Sequence, residues 1–147
     1  MVGYGNDELS KIEKLYGIEI AGQLRQFLSI AGRSDGGLIG DDPIILYRSS
    51  WPVRTQIIKG LILIDDLQNI GAWDFVKKPF LLSIESESQY YFVKTGDEKK
   101  DLVCHYDENN KSVKSTGKTI FEYLAGVVLA LGVDENRVVC RGELLIV

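Results

Sequence analysis

Three strand-forming runs separated by short polar breaks constrain the fold of this 147-residue chain most. The runs are residues 80–84 (FLLSI), 89–93 (QYYFV) and 102–106 (LVCHY), which are rich in aromatic and β-branched side chains. The breaks, residues 85–88 and 95–100, are too short for the crossover connection that parallel strands need. We therefore expect three consecutive antiparallel strands.

Two amphipathic helices are predicted before these strands. Asn6 is the expected N-cap of the first helix, Gly17 its C-terminal stop, and Gly32 the stop of the second helix. Apolar residues recur at helical spacing in both segments. They are Leu9, Ile12, Leu15 and Tyr16 in the first helix, and Ile20, Leu24, Phe27, Leu28 and Ala31 in the second.

The remaining segments complete the prediction of a single α+β domain over residues 1–147. We expect strands at residues 44–47 and 61–64, an irregular or edge segment at 51–54, a helical turn at 65–70 and a turn at 107–111. Thr119 and Glu122 fit a capping box that opens a final helix lying deep against the sheet. The tail, residues 138–140 and 144–147, is a candidate for one further strand. The predicted architecture is two N-terminal helices, a mainly antiparallel sheet of about five or six strands and a packed C-terminal helix.

Composition is typical of an ordinary globular protein, with 45% apolar and 26% charged residues. The net charge of −4 gives no general attraction to nucleic acid or anionic lipid and favours a basic partner. The first ten residues lack the pattern of a secretory signal, and the longest uncharged apolar run, residues 123–133, is shorter than the roughly 20 residues of a membrane-spanning helix. We expect a cytoplasmic protein without membrane contact.

The chemistry-bearing residues favour a protein that is not an enzyme. His105 is the only histidine, and in a strand its side chain points away from the face of Cys104, so a Cys–His dyad is geometrically poor. Cys104 and Cys140 are too few for a disulfide framework and are expected to be reduced. The glycine-rich loop at residues 32–40 fits neither the dinucleotide nor the Walker spacing. We predict no catalytic residue, no cofactor and no metal.

The order of these segments resembles the SUKH superfamily, the Smi/Knr-type domains, between Leu9 and Leu131. Two positions depart from the family pattern: Ala21 stands where the family has proline, and residues 85–88 replace a glycine-rich turn. The matching landmarks lie in the first two helices, the three strands and the final helix. They are residues 13–20 (EKLYGIEI), 27–28 (FL), 36–37 (GG), 79–84 (PFLLSI), 90–92 (YYF), 103–107 (VCHYD) and 119–124 (TIFEYL).

The resemblance implies a non-catalytic α+β domain, in bacteria commonly an immunity protein that binds and neutralises a polymorphic toxin, often a nuclease. Acidic residues in predicted turns would oppose the basic cleft of such a toxin and speed association. The candidate partner-binding residues are these acids together with Trp51: Asp35, Asp41, Asp42, Trp51, Asp65, Asp66, Glu85 and Glu87. The alternative is a small-ligand-binding or regulatory domain whose pocket lies at residues 32–40 and Trp51. The partner's identity and the oligomeric state stay open.

Overall fold

A four-stranded antiparallel sheet of order β1-β2-β3-β4 organises the computed structural model, which describes residues 2–34, 53–132 and 143–145. The strands are β1 (Pro79–Glu85), β2 (Gln89–Lys94), β3 (Leu102–Asp107) and β4 (Ser112–Thr119). Each strand pairs antiparallel with the next one along the chain. The α+β class and the three consecutive strands predicted from the sequence are confirmed.

The strand count is four among the described residues, not five or six, and β4 was not predicted at all. The sequence of β4, SVKSTGKT, is polar, and most of its side chains are exposed. It forms an edge of the sheet, where lysines such as Lys114 and Lys118 discourage pairing with another chain. The predicted strand at residues 44–47 and the 138–140 part of the tail lie outside the described residues, whereas residues 144 and 145 of the tail form a bend and not a strand.

Four helices accompany the sheet in the described part of the chain: α1 (Asn6–Tyr16), α2 (Gly22–Ala31), α3 (Val53–Asn69) and α4 (Ile120–Leu131). Gly5, not Asn6, is the N-cap of α1, and the carboxylate of Glu8 accepts the Gly5 N–H at 3.1 Å. Gly17 ends α1 with φ 64°, which confirms the predicted stop. Among these helices, none is long and apolar enough to cross a membrane.

The prediction of a strand at residues 61–64 is wrong, because these residues belong to α3. The predicted irregular segment also ends earlier, since Val53 and Arg54 open α3, and residues 65–69 of the predicted turn at 65–70 are the last part of the same helix. The buried face of α3 includes Leu63 and Leu67, but Leu61 on the outer face is also apolar and is 60% exposed. Apolar residues on both faces hid the helical period.

Helices cover both faces of the sheet. On one face, α1, α2 and α4 pack against a core that includes Phe80, Val93 and Val103. On the other face, α3 contributes Leu63 and Leu67 to a second core with side chains from all four strands. Because side chains alternate along a strand, neighbouring residues of β2 and β3 supply the two cores in turn.

The capping box at the start of α4 is confirmed, but the expected depth of this helix is not. The Thr119 hydroxyl accepts the Glu122 N–H at 3.3 Å, and the Glu122 carboxylate accepts the Thr119 N–H at 3.2 Å. Among the described side chains of α4, Ile120 and Tyr123 are buried, whereas Leu129 is 83% exposed. The first turn of the helix is therefore buried in the core, and Leu124, Val127 and Val128 pack against the core while staying partly exposed.

Candidate functional site

The turn between β1 and β2 and the turn between β3 and β4 lie side by side at one end of the sheet. The Glu108 N–H donates to the Ser88 carbonyl at 2.9 Å, and the Asn109 side-chain amide donates to the Ser88 hydroxyl at 3.1 Å. Ser86 and Glu87 adopt positive φ angles of 50° and 63° in the first turn. These contacts hold the two hairpin ends in a fixed relation to each other.

Carboxylates from both turns and from α3 lie at this end of the sheet, Asp66 and Glu108 on the side of α3 and Glu85 on the side of α4, and we call this set the acidic end. Asp107 organises the second turn, since its carboxylate accepts from the Gln89 amide at 3.0 Å and from the Asn110 amide at 2.7 Å. These hydrogen bonds, the one from Gln89 first, lower the pKa of Asp107. Lys111 lies in the same turn. The members of the acidic end are Asp66, Glu85, Glu87, Asp107 and Glu108.

Burial and a neighbouring negative charge both raise the pKa of Asp66. Burial raises its pKa most, and the charge of Glu108 raises it further, against the opposing hydrogen bond from Tyr106. Burial followed by the charge of a neighbouring carboxylate also raises the pKa of Tyr90 and of Tyr106 to about 12. Since a neighbouring anion disfavours the charged form of each group, these shifts indicate an excess of negative charge around Asp66 and Glu108, which Lys111 offsets only in part.

A shallow cavity of about 360 Å³ opens on the face of the sheet beside the first turns of α4. Its floor is a ring stack in which Tyr91 lies 4.7 Å from His105 and 5.3 Å from Tyr123, measured between ring centroids. The His105 Nε2 lies 2.6 Å from the Gln89 side-chain oxygen. Lys114 and Lys118 stand on the β4 side of the cavity.

The structure brings together some of the residues predicted as a partner-binding site. Asp66, Glu85 and Glu87 belong to the acidic end, whereas Asp65 lies on the outer face of α3. The others, Asp35, Asp41, Asp42 and Trp51, lie outside the described residues, as does most of the loop at 32–40 proposed for a ligand pocket.

Sequence reasoning missed Asp107 and Glu108 as members of the site. The turn at residues 107–111 was predicted, but the strand that follows it was not. In a meander, alternate turns fall at the same end of the sheet. A prediction of β4 would therefore have placed both residues beside Glu85 and Glu87.

Cys104 is unsuited to nucleophilic catalysis. The thiol is buried in the core beneath α3, and burial raises its pKa to about 11. His105 points to the opposite face of the sheet, as predicted, where it stacks on Tyr91. Over the described ranges, no group of three or more His, Cys, Asp or Glu residues could hold a metal ion.

No protein-family model, curated protein or solved structure matches this chain.

Proposed function

We propose that this chain is a non-enzymatic protein-binding domain whose acidic end contacts a basic surface of its partner. The observation that carries the proposal is that carboxylates from two adjoining turns and α3 lie at the same end of the sheet, where Asp66 and Glu108 interact. Burial raises the pKa of Asp66 most, and the charge of Glu108 raises it further, so a cationic surface would add an attraction that offsets this repulsion. Complementary charge of this kind speeds association and selects partners.

The acidic end is suited to rapid docking because its turns are tied together before any partner arrives. The hydrogen bonds from Glu108 and Asn109 to Ser88 join the two hairpins, and Asp107 fixes the second turn through Gln89 and Asn110. Binding therefore does not have to order the backbone that carries the carboxylates, which lowers the entropic cost of association.

The partner class that fits best is a toxin domain that acts on nucleic acid. Such an enzyme binds its phosphate-rich substrate through a basic cleft, and an acidic protein surface can occupy the same cleft. The resemblance to SUKH immunity proteins supports the same class of partner. We therefore propose that the domain neutralises a cognate, polymorphic nuclease toxin in a bacterial cytoplasm by covering its basic surface.

The test is association with the toxin domain encoded beside this gene, measured by stopped-flow fluorescence at two salt concentrations. Glu87→Lys and Glu108→Lys should each lower the association rate constant by roughly tenfold at low salt, and less at high salt. Glu98→Lys is the matched control, because Glu98 is an exposed acid in the β2–β3 turn at the other end of the sheet. Equal rates for all three variants, or absence of a complex between the two proteins, would contradict the proposal.

The alternative function is binding of a small ligand in a regulatory domain, and the cavity beside Tyr91 favours it. An anionic aromatic compound could stack on the His105 ring while Lys114 and Lys118 attract its charge. Titration of the chain with nucleotides, followed by the ring proton signals of His105, would test this function. Unchanged signals at millimolar nucleotide would exclude nucleotides as the ligand of this cavity.

A further inference from the structure

The outer face of α3 is apolar although the helix already has a buried face. Leu63 is 1% exposed on the inner side, whereas Ile58 and Leu61 on the outer side are 55% and 60% exposed. Ile62 beside them is 38% exposed. A helix at the surface of a domain normally needs one apolar face, so this second apolar face calls for a partner.

The exposed residues follow the spacing of a helix-pairing seam. Arg54, Ile58, Leu61 and Asp65 are separated by steps of four, three and four residues. At 3.6 residues per turn, these positions fall within about 60° of one another around the helix axis. Isoleucine and leucine thus occupy the alternating core positions of a heptad, with a charge at each end. We call these residues the α3 seam.

The α3 seam is complementary to itself when it is reversed. A two-fold axis between Lys59 and Gly60 brings Arg54 opposite Asp65 of a second copy, and Ile58 opposite Leu61. Each pair recurs on the other side of the axis, as the symmetry of an isologous interface requires. The charge order of the seam therefore favours an antiparallel arrangement and places like charges apart.

The apolar surface continues from the seam onto α1. Leu15 of α1 is 42% exposed, and with Ile57 and Leu61 it lines a depression of about 130 Å³ between α1, α3 and the edge strand β1. This depression widens the contact beyond a single helix, since side chains from a second copy can enter it. Specific interfaces bury considerably more surface than one helix stripe supplies.

We propose that α3 pairs antiparallel with α3 of a second copy of this chain, forming a symmetric dimer through Ile58 and Leu61 with Arg54–Asp65 ion pairs across the two-fold axis. Asp65 is then a dimer residue, whereas Asp66 belongs to the acidic end. Asp65 already accepts from the Asn69 amide at 3.3 Å, which fixes its carboxylate near the outer face. The dimer contact does not use the residues of the proposed toxin-binding surface, because Glu87 and Glu108 lie in the turns of the sheet. The two proposals can therefore be tested separately.

The test is the mass of the full chain by sedimentation equilibrium over a wide concentration range. The wild type should show a reversible monomer–dimer equilibrium starting from the 16.4 kDa chain, and Leu61→Lys should remain a monomer. Leu129→Lys is the matched control, because Leu129 is a more exposed leucine on α4. It should dimerise like the wild type. Circular dichroism of each variant checks that the fold is retained.

Charge reversal distinguishes this arrangement from any other apolar association. Arg54→Glu and Asp65→Lys should each raise the dimer dissociation constant by roughly tenfold, because each removes two exposed ion pairs per dimer. The double variant should return close to the wild-type value. A wild type that stays monomeric at millimolar concentration would overturn the proposal. The same holds if the α3 seam binds a helix of another protein but does not pair with a second copy of this chain. A dimer that survives Leu61→Lys, or a double variant without recovery, would also overturn it.

Discussion

The hydroxyl groups of Ser83 and Tyr123 lie 2.8 Å apart in the interior and join the edge strand β1 to the first turn of α4. Ser83 is fully buried, and it follows an irregularity of the β1–β2 pairing between Leu81 and Ser83. Burial raises the pKa of Tyr123, so its hydroxyl stays protonated and able to donate. This contact fixes the buried first turn of α4.

Removing one hydroxyl of this pair should cost more than removing both. Ser83→Ala or Tyr123→Phe leaves a buried hydroxyl without this partner, and each should lower the free energy of unfolding by about 1–3 kcal/mol. In the double variant no hydroxyl is left over, so the total loss should be smaller than the sum. Urea unfolding followed by circular dichroism measures all four proteins. Strictly additive losses would show that the two hydroxyls do not interact.

Alanine at two glycines should have opposite effects on stability. A Cβ at Gly3 would lie 2.0 Å from the Ser29 carbonyl oxygen, which is backbone and cannot rotate away. Gly3→Ala should therefore lower the free energy of unfolding by about 1–3 kcal/mol. At Gly126, inside α4, no atom lies within 4 Å of a Cβ, and Gly126→Ala should raise it by about 0.5–1 kcal/mol. Thermal unfolding of both variants is the measurement, and a shift of the same sign in both would contradict it.

The sheet was partly predictable because β1, β2 and β3 are apolar and separated by short breaks. Edge strand β4 was not, because its one apolar side chain packed against a core is Val113, the second residue of the strand, and the rest of its sequence resembles a polar loop. Helix α3 was mistaken for a strand for the opposite reason. Ile58, Leu61 and Ile62 are apolar residues on its exposed side, so the run lacks the polar face that marks a helix.

The candidate site was predictable at the level of its turns. Glu85 and Glu87 were recognised as acids of a hairpin turn, but which other acids lie beside them depends on the number of strands that follow. With β4 present, Asp107 and Glu108 return to the same end. Asp66 joins them only because α3 is one continuous helix, which the sequence pattern concealed.

Neutralising Asp66 should stabilise the fold at neutral pH. Its pKa is raised in the folded protein, so the carboxylate opposes folding fully above that raised pKa and not at all below the ordinary carboxyl range near 3.9. Asp66→Asn should therefore raise the free energy of unfolding at pH 7, and the gain should vanish as the pH falls through that range. The asparagine oxygen can still accept from Tyr106. Urea unfolding at several pH values measures the difference.

Asp97 provides a control, because its pKa is lowered in the folded protein whereas the pKa of Asp66 is raised. The Lys99 N–H at 3.1 Å and the Lys94 ammonium at 3.2 Å hold the pKa of Asp97 well below the usual range. The stability that its carboxylate contributes is present above the unfolded pKa and is lost as the pH falls through the folded pKa. Asp97→Asn should therefore destabilise the protein at pH 7. If both substitutions changed stability in the same direction at pH 7, the opposite pKa shifts assigned to Asp66 and Asp97 would be wrong.

Leu144 should behave as a core residue although it lies close to the end of the sequence. Its side chain is 2% exposed, its N–H donates to the Tyr4 hydroxyl at 3.0 Å, and its carbonyl accepts from the Tyr16 hydroxyl at 2.7 Å. Because both hydrogen bonds use the backbone, Leu144→Ala keeps them and removes only the packing. We expect a loss of about 2–5 kcal/mol.

The matched control is Leu129→Ala, the same substitution at a leucine that is 83% exposed, which should change stability by less than about 0.5 kcal/mol. Denaturant unfolding of the two variants isolates the effect of burial, since the atoms removed are identical. Tyr16→Phe adds a second check, because it breaks the 2.7 Å hydrogen bond to the Leu144 carbonyl and keeps the ring that packs edge-on against Phe80. A Leu144→Ala loss no larger than that of Leu129→Ala would mean that residues 143–145 do not complete the first core, and the raised pKa of Tyr16 would then need another source of burial.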